Sequence, residues 1–226
     1  MPTPFTFINA AMSIDGKIST RQRRQVRISG DVDFERMDEL RASSDAVMVG
    51  IGTVLADDPS LTVKSDEKRA KRLANGLDEN PVRIVVDSKA RIPTDADIFR
   101  KGAGKRIIAV SESAAFDRVE SLRKKAMVIM IGGDQVDLPE LLSILDEMGI
   151  HRLMVEGGAS LNWGLVKNGL VDEIYSFIGN LIIGGATAPT LIDGDGFGEA
   201  DMPVCSLIGA EKMEEGVLLK WKLKNA

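Results

Sequence analysis

Short apolar runs alternate with segments of helical period from Phe5 to Gly169, and beyond Gly169 the chain turns strand-rich. The runs are Phe5–Ala10, Asp45–Gly50, Val82–Asp87, Arg106–Val110, Ala126–Ile131 and Arg152–Val155. Several are apolar almost throughout, as strands of a parallel sheet are when both faces are covered. Parallel neighbours need a long crossover, usually a helix, and the intervening segments supply it. Asp31–Ala42 reads as a helix with Asp31 as its cap and Phe34, Met37 and Leu40 along one inward stripe. Ser113–Lys125 reads as a helix with Phe116, Val119 and Leu122 inward, followed by Leu138–Met148 and by Ser160–Lys167, which Asn168-Gly169 stops. The charged stretch Lys64–Asn80, ending at Pro81, reads as a surface excursion.

Past Gly169, Glu173–Ile183 is strand-rich and interrupted at Gly179-Asn180. In Val217–Lys224, Val217, Leu219, Trp221 and Leu223 alternate with Leu218, Lys220, Lys222 and Lys224, which predicts an antiparallel strand with one buried face. Its edge is expected to be available to a second subunit. The expected fold is therefore α/β, with a mostly parallel central sheet and antiparallel C-terminal strands. No repeat, low-complexity tract or linker divides residues 1–226, so a single domain is expected.

Bulk properties narrow the function. A net charge of −5 argues against a general phosphate-backbone binder, while leaving room for a local cation cluster around a small anion. The Lys68-Arg69 and Lys71-Arg72 pairs read as a solvated face, so no nucleic-acid partner is expected. Cys205 is the single cysteine, which excludes an internal disulfide and any multi-cysteine metal site. No metal is expected. Met1 to Lys17 lacks signal-peptide architecture, and no apolar run approaches the roughly 20 residues of a membrane span, so a cytoplasmic protein is expected. His151 is the one histidine; it stands beside Arg152 with no nucleophile near it, and reads as structural or solvent-facing. Chemistry carried by a cofactor remains.

Four short motifs bear on such chemistry. Gly50-Ile51-Gly52 follows a strand, but Leu55 stands where a dinucleotide fingerprint needs a small residue, so it reads as a tight turn. Thr53 and Asp57 share a face if Thr53–Asp57 is helical, and Pro59 stops that helix by forcing the preceding residue extended. Asp15-Gly16-Lys17 reads as a hairpin turn. Glu156-Gly157-Gly158-Ala159-Ser160-Leu161 lies between a strand and a helix start. Free backbone N–H groups there suit an anion, with Ser160 donating or capping, and a plain strand-to-helix turn fits equally. Glu156 favours a ligand, because strand ends of open α/β sheets are where ligands bind.

Taken in order, Asn9–Lys17, Gly50–Val63, Val82–Ser88 and Val155–Gly158 through Leu161-Asn162-Trp163 resemble the riboflavin-biosynthesis pyrimidine reductases, nearly from end to end. The resemblance implies a dihydrofolate-reductase-like three-layer fold. It further implies NADPH-dependent reduction of a ribosylamino group to a ribitylamino group on a pyrimidine 5′-phosphate, with the choice between NADPH and NADH left open. Bacterial members usually follow a zinc deaminase; here the resemblance starts at the first residues and the zinc-ligating histidine and cysteines are absent. That arrangement resembles the stand-alone archaeal and fungal enzymes, so the 2,5-diamino pyrimidine is the expected substrate and the deaminated pyrimidine the alternative. A dihydrofolate-reductase-type enzyme and a non-catalytic NADPH-binding module are further alternatives. The family also implies a homodimer.

Matching positions give the implied site. Thr53, Asp57, Ser88, Lys89, Arg91, Gly157, Gly158, Ala159, Ser160 and Leu161 fall on the cofactor side. Arg27, Arg41, Lys64 and Glu156 fall on the substrate side, Arg27 standing where some bacterial members carry tryptophan. The reduced carbon is C1′ of the ring-opened sugar, and the adjacent nitrogen must gain a proton from Asp57, Lys17 or water.

Overall fold

The computed structural model describes residues 2–24 and 26–223, so Met1 and Lys224, which end two segments read above, lie outside the described residues. The elements begin with β1 (Phe5–Met12), α1 (Asp31–Ala42), β2 (Ala46–Gly50), α2 (Ile51–Asp57), α3 (Asp66–Ala74) and β3 (Val82–Val86). They continue with α4 (Asp97–Arg100), β4 (Arg106–Val110), α5 (Phe116–Arg123), β5 (Met127–Met130), α6 (Leu138–Glu147) and β6 (Arg152–Val155). The last are α7 (Ala159–Lys167), β7 (Glu173–Ile178), β8 (Cys205–Met213) and β9 (Gly216–Leu223). The chain divides into two compact units, one built on Asp38–Met154 and the other on Phe5–Met37 with the chain from Val155 onward.

In the first unit the strand order is β5-β4-β3-β2-β6, and β2/β3, β3/β4 and β4/β5 are parallel. Val47, Met48, Ile84, Val85 and Ile108 are fully buried, which explains their near-continuous apolar spelling. Helix α6 starts where the Asp137 side chain accepts the Glu140 N–H (2.9 Å). It buries Leu141, Leu142 and Leu145 completely, each worth about 1.5–3 kcal/mol. Helix α5 buries Val119 and Leu122, but Phe116, expected inward, is 75% exposed because it is the first residue of the helix and precedes its buried turn. The Lys64–Asn80 excursion contains helix α3, capped by Ser65. Arg72 of its Lys71-Arg72 pair is buried, donating to the carbonyls of Ala42, Ser44 and Asp78.

In the second unit the order is β1-β7-β9-β8, with β1/β7 parallel and β7/β9 and β8/β9 antiparallel. Strand β9 therefore has a neighbour on each side, and the edge expected of it belongs to β8, which was not assigned from sequence. Its burial follows the expected alternation only in part, with Leu223 buried and Lys222 exposed as expected. Leu218, on the lysine-bearing face, packs with Phe177 and Met213, while Val217, Leu219 and Trp221 are half-buried. The Ser13–Lys17 turn closes through Ser13 N–H to Lys17 carbonyl (2.9 Å), with Gly16 at φ 77°. It is not a hairpin between paired strands, because Lys17 next forms an isolated bridge with Thr190.

Helix α1 has the expected bounds, but its inward side is lined by charges as well as by the half-buried Met37 and Leu40. Phe34 is 39% exposed, whereas Asp33, Asp38 and Arg41 are buried. The charges are inward because each holds a partner. Asp33 accepts from Arg36, which also donates to Asn9 (2.8 Å) on β1. Asp38 accepts the N–H groups of Lys64 and Ser65, and Arg41 donates to the Thr62 carbonyl. A buried charge is tolerated when its hydrogen bonds are made.

Candidate active site

In the first unit β2 runs straight into α2. Gly50 is the N-cap, in an extended conformation with no side-chain cap, so no separate turn forms at Gly50–Gly52. Thr53 and Asp57 do lie on one helix, as expected. Chain crowding around Asp57 desolvates its carboxyl and pushes the pKa above the usual aspartate value. The helix stops there, but Asp58 is left-handed (φ 42°, ψ 55°) rather than extended. Aspartate tolerates that region; Asp58 Oδ1 also accepts the Asp97 N–H (2.8 Å), fixing the turn from outside.

Downstream, the structure brings Arg41 and Lys64 together around Thr62. Arg41 Nη1 donates to the Thr62 carbonyl (3.1 Å), and Lys64 Nζ donates to Ser60 Oγ (2.9 Å) and Thr62 Oγ1 (3.0 Å). Desolvation, then the nearby Arg41 and Lys101 charges, lower the Lys64 pKa below the ordinary lysine value. Two cations thus meet around one short segment, charge of the kind a phosphate would need.

The third feature of this unit is the turn after β3. Ser88 Oγ accepts the Val136 N–H (3.1 Å), and the Ser88 carbonyl accepts from Ser111 Oγ (2.8 Å). Lys89 Nζ donates to Ser113 Oγ (2.7 Å), and Arg91 Nε lies 3.6 Å from Asp87 Oδ1. Asp87 is fully buried and accepts the Ile92 N–H (2.8 Å); burial raises its pKa against the pull of Ile92 and Arg91. Sequence reading assigned Asp87 no role, although a carboxylate ending an apolar strand was the signal available.

In the second unit Glu156 follows β6, and Gly157 (φ 90°) and Gly158 lead into α7. Gly158 is the N-cap and has no side-chain cap; Ser160, expected to cap, is the exposed second residue of the helix. Ala159 and Leu161 are buried, so they offer a ligand backbone rather than side chain. Asn162, buried beneath the turn, donates through Nδ2 to the Leu191 carbonyl (2.8 Å), and its buried Oδ1 has no hydrogen-bond partner. The Asp193 N–H donates to the Ala159 carbonyl (3.2 Å), so the 190–193 loop is fastened to the first turn of α7. Lys17 joins the same assembly, bridging to Thr190 and donating from Nζ to the Ala188 carbonyl (2.9 Å).

Arg27 stands elsewhere in this unit. It pairs with Asp31 (2.5 Å), lies over the Phe34 ring (5.4 Å) and lines an open cleft of about 300 Å³ with Phe177, Asn180 and Glu214. Sole histidine His151 is exposed and meets Asp146 (3.1 Å), in keeping with a solvent-facing role.

Residues 4–219 match the family described as RibD C-terminal domain. The chain belongs to that family. It is 46% identical over 94% of its length to the 2,5-diamino-6-ribosylamino-4(3H)-pyrimidinone 5′-phosphate reductase of Archaeoglobus fulgidus, covering 95% of that protein. It is 45% identical over 98% of its length to the protein of the same description from Methanothermobacter thermautotrophicus, covering 99% of it. Among solved structures, a pyrimidine reductase-like protein from Corynebacterium diphtheriae superposes with a TM-score of 0.84 at 17% identity, covering 99% of this chain and 93% of that one. Dihydrofolate reductase from Enterococcus faecalis, complexed with NADP(H) and RAB-propyl, gives 0.50 at 11% identity, covering 97% and 99%. Those two likenesses show the fold alone. The resemblance drawn from the motifs and the dihydrofolate-reductase-like α/β architecture of this RibD C-terminal domain are both borne out.

Proposed function

We propose that this chain is a reductase of riboflavin biosynthesis that converts the ribosylamino group of 2,5-diamino-6-ribosylamino-4(3H)-pyrimidinone 5′-phosphate to the ribitylamino group, using NADPH. The single observation that carries the reading is the 45–46% identity, over almost the whole chain, to two archaeal proteins of that description. Residues 1–226 act as one reductase domain, and the enzyme works in the cytoplasm as a homodimer. Among the described residues no helix is long and apolar enough to cross a membrane.

The residues present fit a nicotinamide dinucleotide. Helix α7 begins on glycine without a side-chain cap, leaving its first N–H groups suited to a phosphate, and Asn162 Oδ1 beneath that turn lacks a donor. Gly157, Gly158, Ala159, Ser160 and Leu161 would hold the cofactor at this turn. Thr53, Asp57, Ser88, Lys89 and Arg91 are the remaining cofactor-side positions, and Lys89 and Arg91 carry the charge that the 2′-phosphate distinguishing NADPH from NADH calls for. When bound, the cofactor supplies a hydride to C1′ of the ring-opened ribosylamine.

Lys64 and Arg41 neutralise the 5′-phosphate; Arg27 and Glu156 are the other substrate-side positions, Glu156 to accept hydrogen bonds from the pyrimidine or ribose. Arg41 acts largely as a fixed charge, since it is buried and donates to Thr62. The nitrogen beside C1′ gains its proton from Asp57, whose pKa is raised by desolvation, from Lys17 or from water. Holding C1′ in line contributes much of the acceleration.

NADPH oxidation with the diamino and the deaminated pyrimidine phosphates in parallel tests this. Turnover of the diamino compound alone is expected. Preference for the deaminated one reassigns the substrate, and tight NADPH binding with neither turned over removes the reductase reading.

A further inference from the structure

Ser60–Ser65 belongs to no helix or strand, yet Leu61, Thr62 and Val63 are buried. Buried irregular backbone must find hydrogen-bond partners, and here side chains provide them. The Ser60 carbonyl accepts from Arg83 (3.4 Å), the Thr62 carbonyl from Arg41 (3.1 Å), and the carbonyls of Val63 and Lys64 from Arg69 (2.8 Å each). Val63 N–H donates to Asn80 Oδ1 (2.9 Å). The two remaining grips come from one side chain: Lys64 N–H donates to Asp38 Oδ1 (2.6 Å) and Ser65 N–H to Asp38 Oδ2 (3.0 Å).

Asp38 is only 6% exposed. Lys68 Nζ lies 3.8 Å from it and is shared with Glu39 at 3.6 Å. Both carboxylate oxygens accept adjacent backbone N–H groups, and the first belongs to Lys64 itself. Pinning the peptide N–H groups on either side of the Lys64 Cα fixes the direction in which the lysine side chain leaves the chain. The ammonium then reaches Ser60 Oγ and Thr62 Oγ1, which are themselves 3.0 Å apart.

We infer that Asp38 is a positioning residue for the reduction: it aims the Lys64 ammonium at the substrate phosphate without touching the substrate. This deepens the proposed function and rests on its assignment of Lys64 to the phosphate. The bland reading of Asp38, a loop anchor that only adds stability, makes a different quantitative statement. A stability anchor acts independently of Lys64, whereas a positioning residue has nothing left to do once Lys64 is gone.

The test is a double-mutant cycle on the full chain, with KM for the pyrimidine phosphate, KM for NADPH and kcat measured for each member. Asp38→Asn keeps the shape but loses the charge and one acceptor. It is expected to raise the pyrimidine KM about 10-fold, with kcat and NADPH KM within about 2-fold of wild type. Lys64→Met is expected to raise the same KM about 30-fold, and the double variant to stay within about 2-fold of Lys64→Met alone. Multiplicative effects, or a wild-type KM in Asp38→Asn, overturn the positioning role while leaving the Lys64 assignment standing. A wild-type KM in Lys64→Met removes that assignment first, and the inference with it. If Asp38→Asn does not fold, Asp38→Glu enters the cycle: its longer carboxylate keeps the charge but cannot serve both N–H groups in the same geometry, and the same non-additivity is required.

Discussion

The Ser60–Ser65 segment and the Glu156–Leu161 turn solve opposite problems. The first presents a long, flexible cation, and its backbone is gripped by Asp38, Arg41, Arg69, Asn80 and Arg83. The second presents backbone N–H groups, and it is stripped of obstructing side chains, with Gly157 at φ 90° and an uncapped Gly158. A side chain is aimed by building walls around its backbone. A backbone donor is aimed by removing what would stand before it.

The largest effect expected from this contrast is at Arg83, which is fully buried and donates to the carbonyls of Lys101 (2.6 Å), Gly102 (3.0 Å) and Ala103 (3.0 Å) besides Ser60. Arg83→Leu strands those acceptors and is expected to cost about 3 kcal/mol in urea unfolding. Unchanged stability would break the claim that buried side chains hold the first segment. Next comes Gly157→Ala, expected to cost about 1–2 kcal/mol through its positive φ, with a weakened NADPH affinity in titration. A new Cβ there meets Asn162 only at ordinary contact distance, 3.5 Å, so strain rather than collision is being measured.

A smaller, pH-dependent effect is expected at Asp15, in the loop that carries Lys17. Hydrogen bonds from Ser13, then Ile183 and Gly184, hold its pKa down at about 2 from an ordinary 3.8. A depressed folded-state pKa stabilises fully above the ordinary value, and that contribution disappears as pH falls through the folded one. Amide exchange at Ile183 and Gly184 should therefore lose protection as the pH drops from 3.8 to about 2 in wild type and show no such step in Asp15→Asn. The smallest effect is at Ser160. Because Gly158 and not Ser160 is the cap, Ser160→Ala should change NADPH KM less than about 2-fold; a large increase would mean that the turn relies on a side chain after all.

Much of the framework was legible because apolar strands and helical spacing are local signals. The bounds of α1, Asp31–Ala42, were read as they stand. Its inward face was not, because periodicity counts apolar residues and cannot foresee that Asp33, Asp38 and Arg41 have backbone or side-chain partners waiting. Buried Arg83 and half-buried Arg106 sat in apolar runs for the same reason: a ring of carbonyls from residues 98–104 receives them. Strand β8 went unread because its pattern is exposed and carries a register shift between Leu207 and Gly209. Family motifs were the source of the candidate site positions. Asp38, Asp87 and Asn162, which shape their surroundings, depend on contacts that no short window contains.

The pairing of β1 with β7 has a consequence for biosynthesis. Phe7–Met12 aligns with Glu173–Ile178, and the Thr6 N–H is closed by the Asp172 carboxylate (2.8 Å) across a separation of 166 residues. A chain leaving the ribosome N-terminus first carries its opening strand without this partner until most of the protein has been made. Contacts of such range are slow to form. During that interval Phe5–Met12 lacks its β7 partner, and an apolar strand without its partner is prone to aggregate, which makes this short stretch a natural client for a holding chaperone.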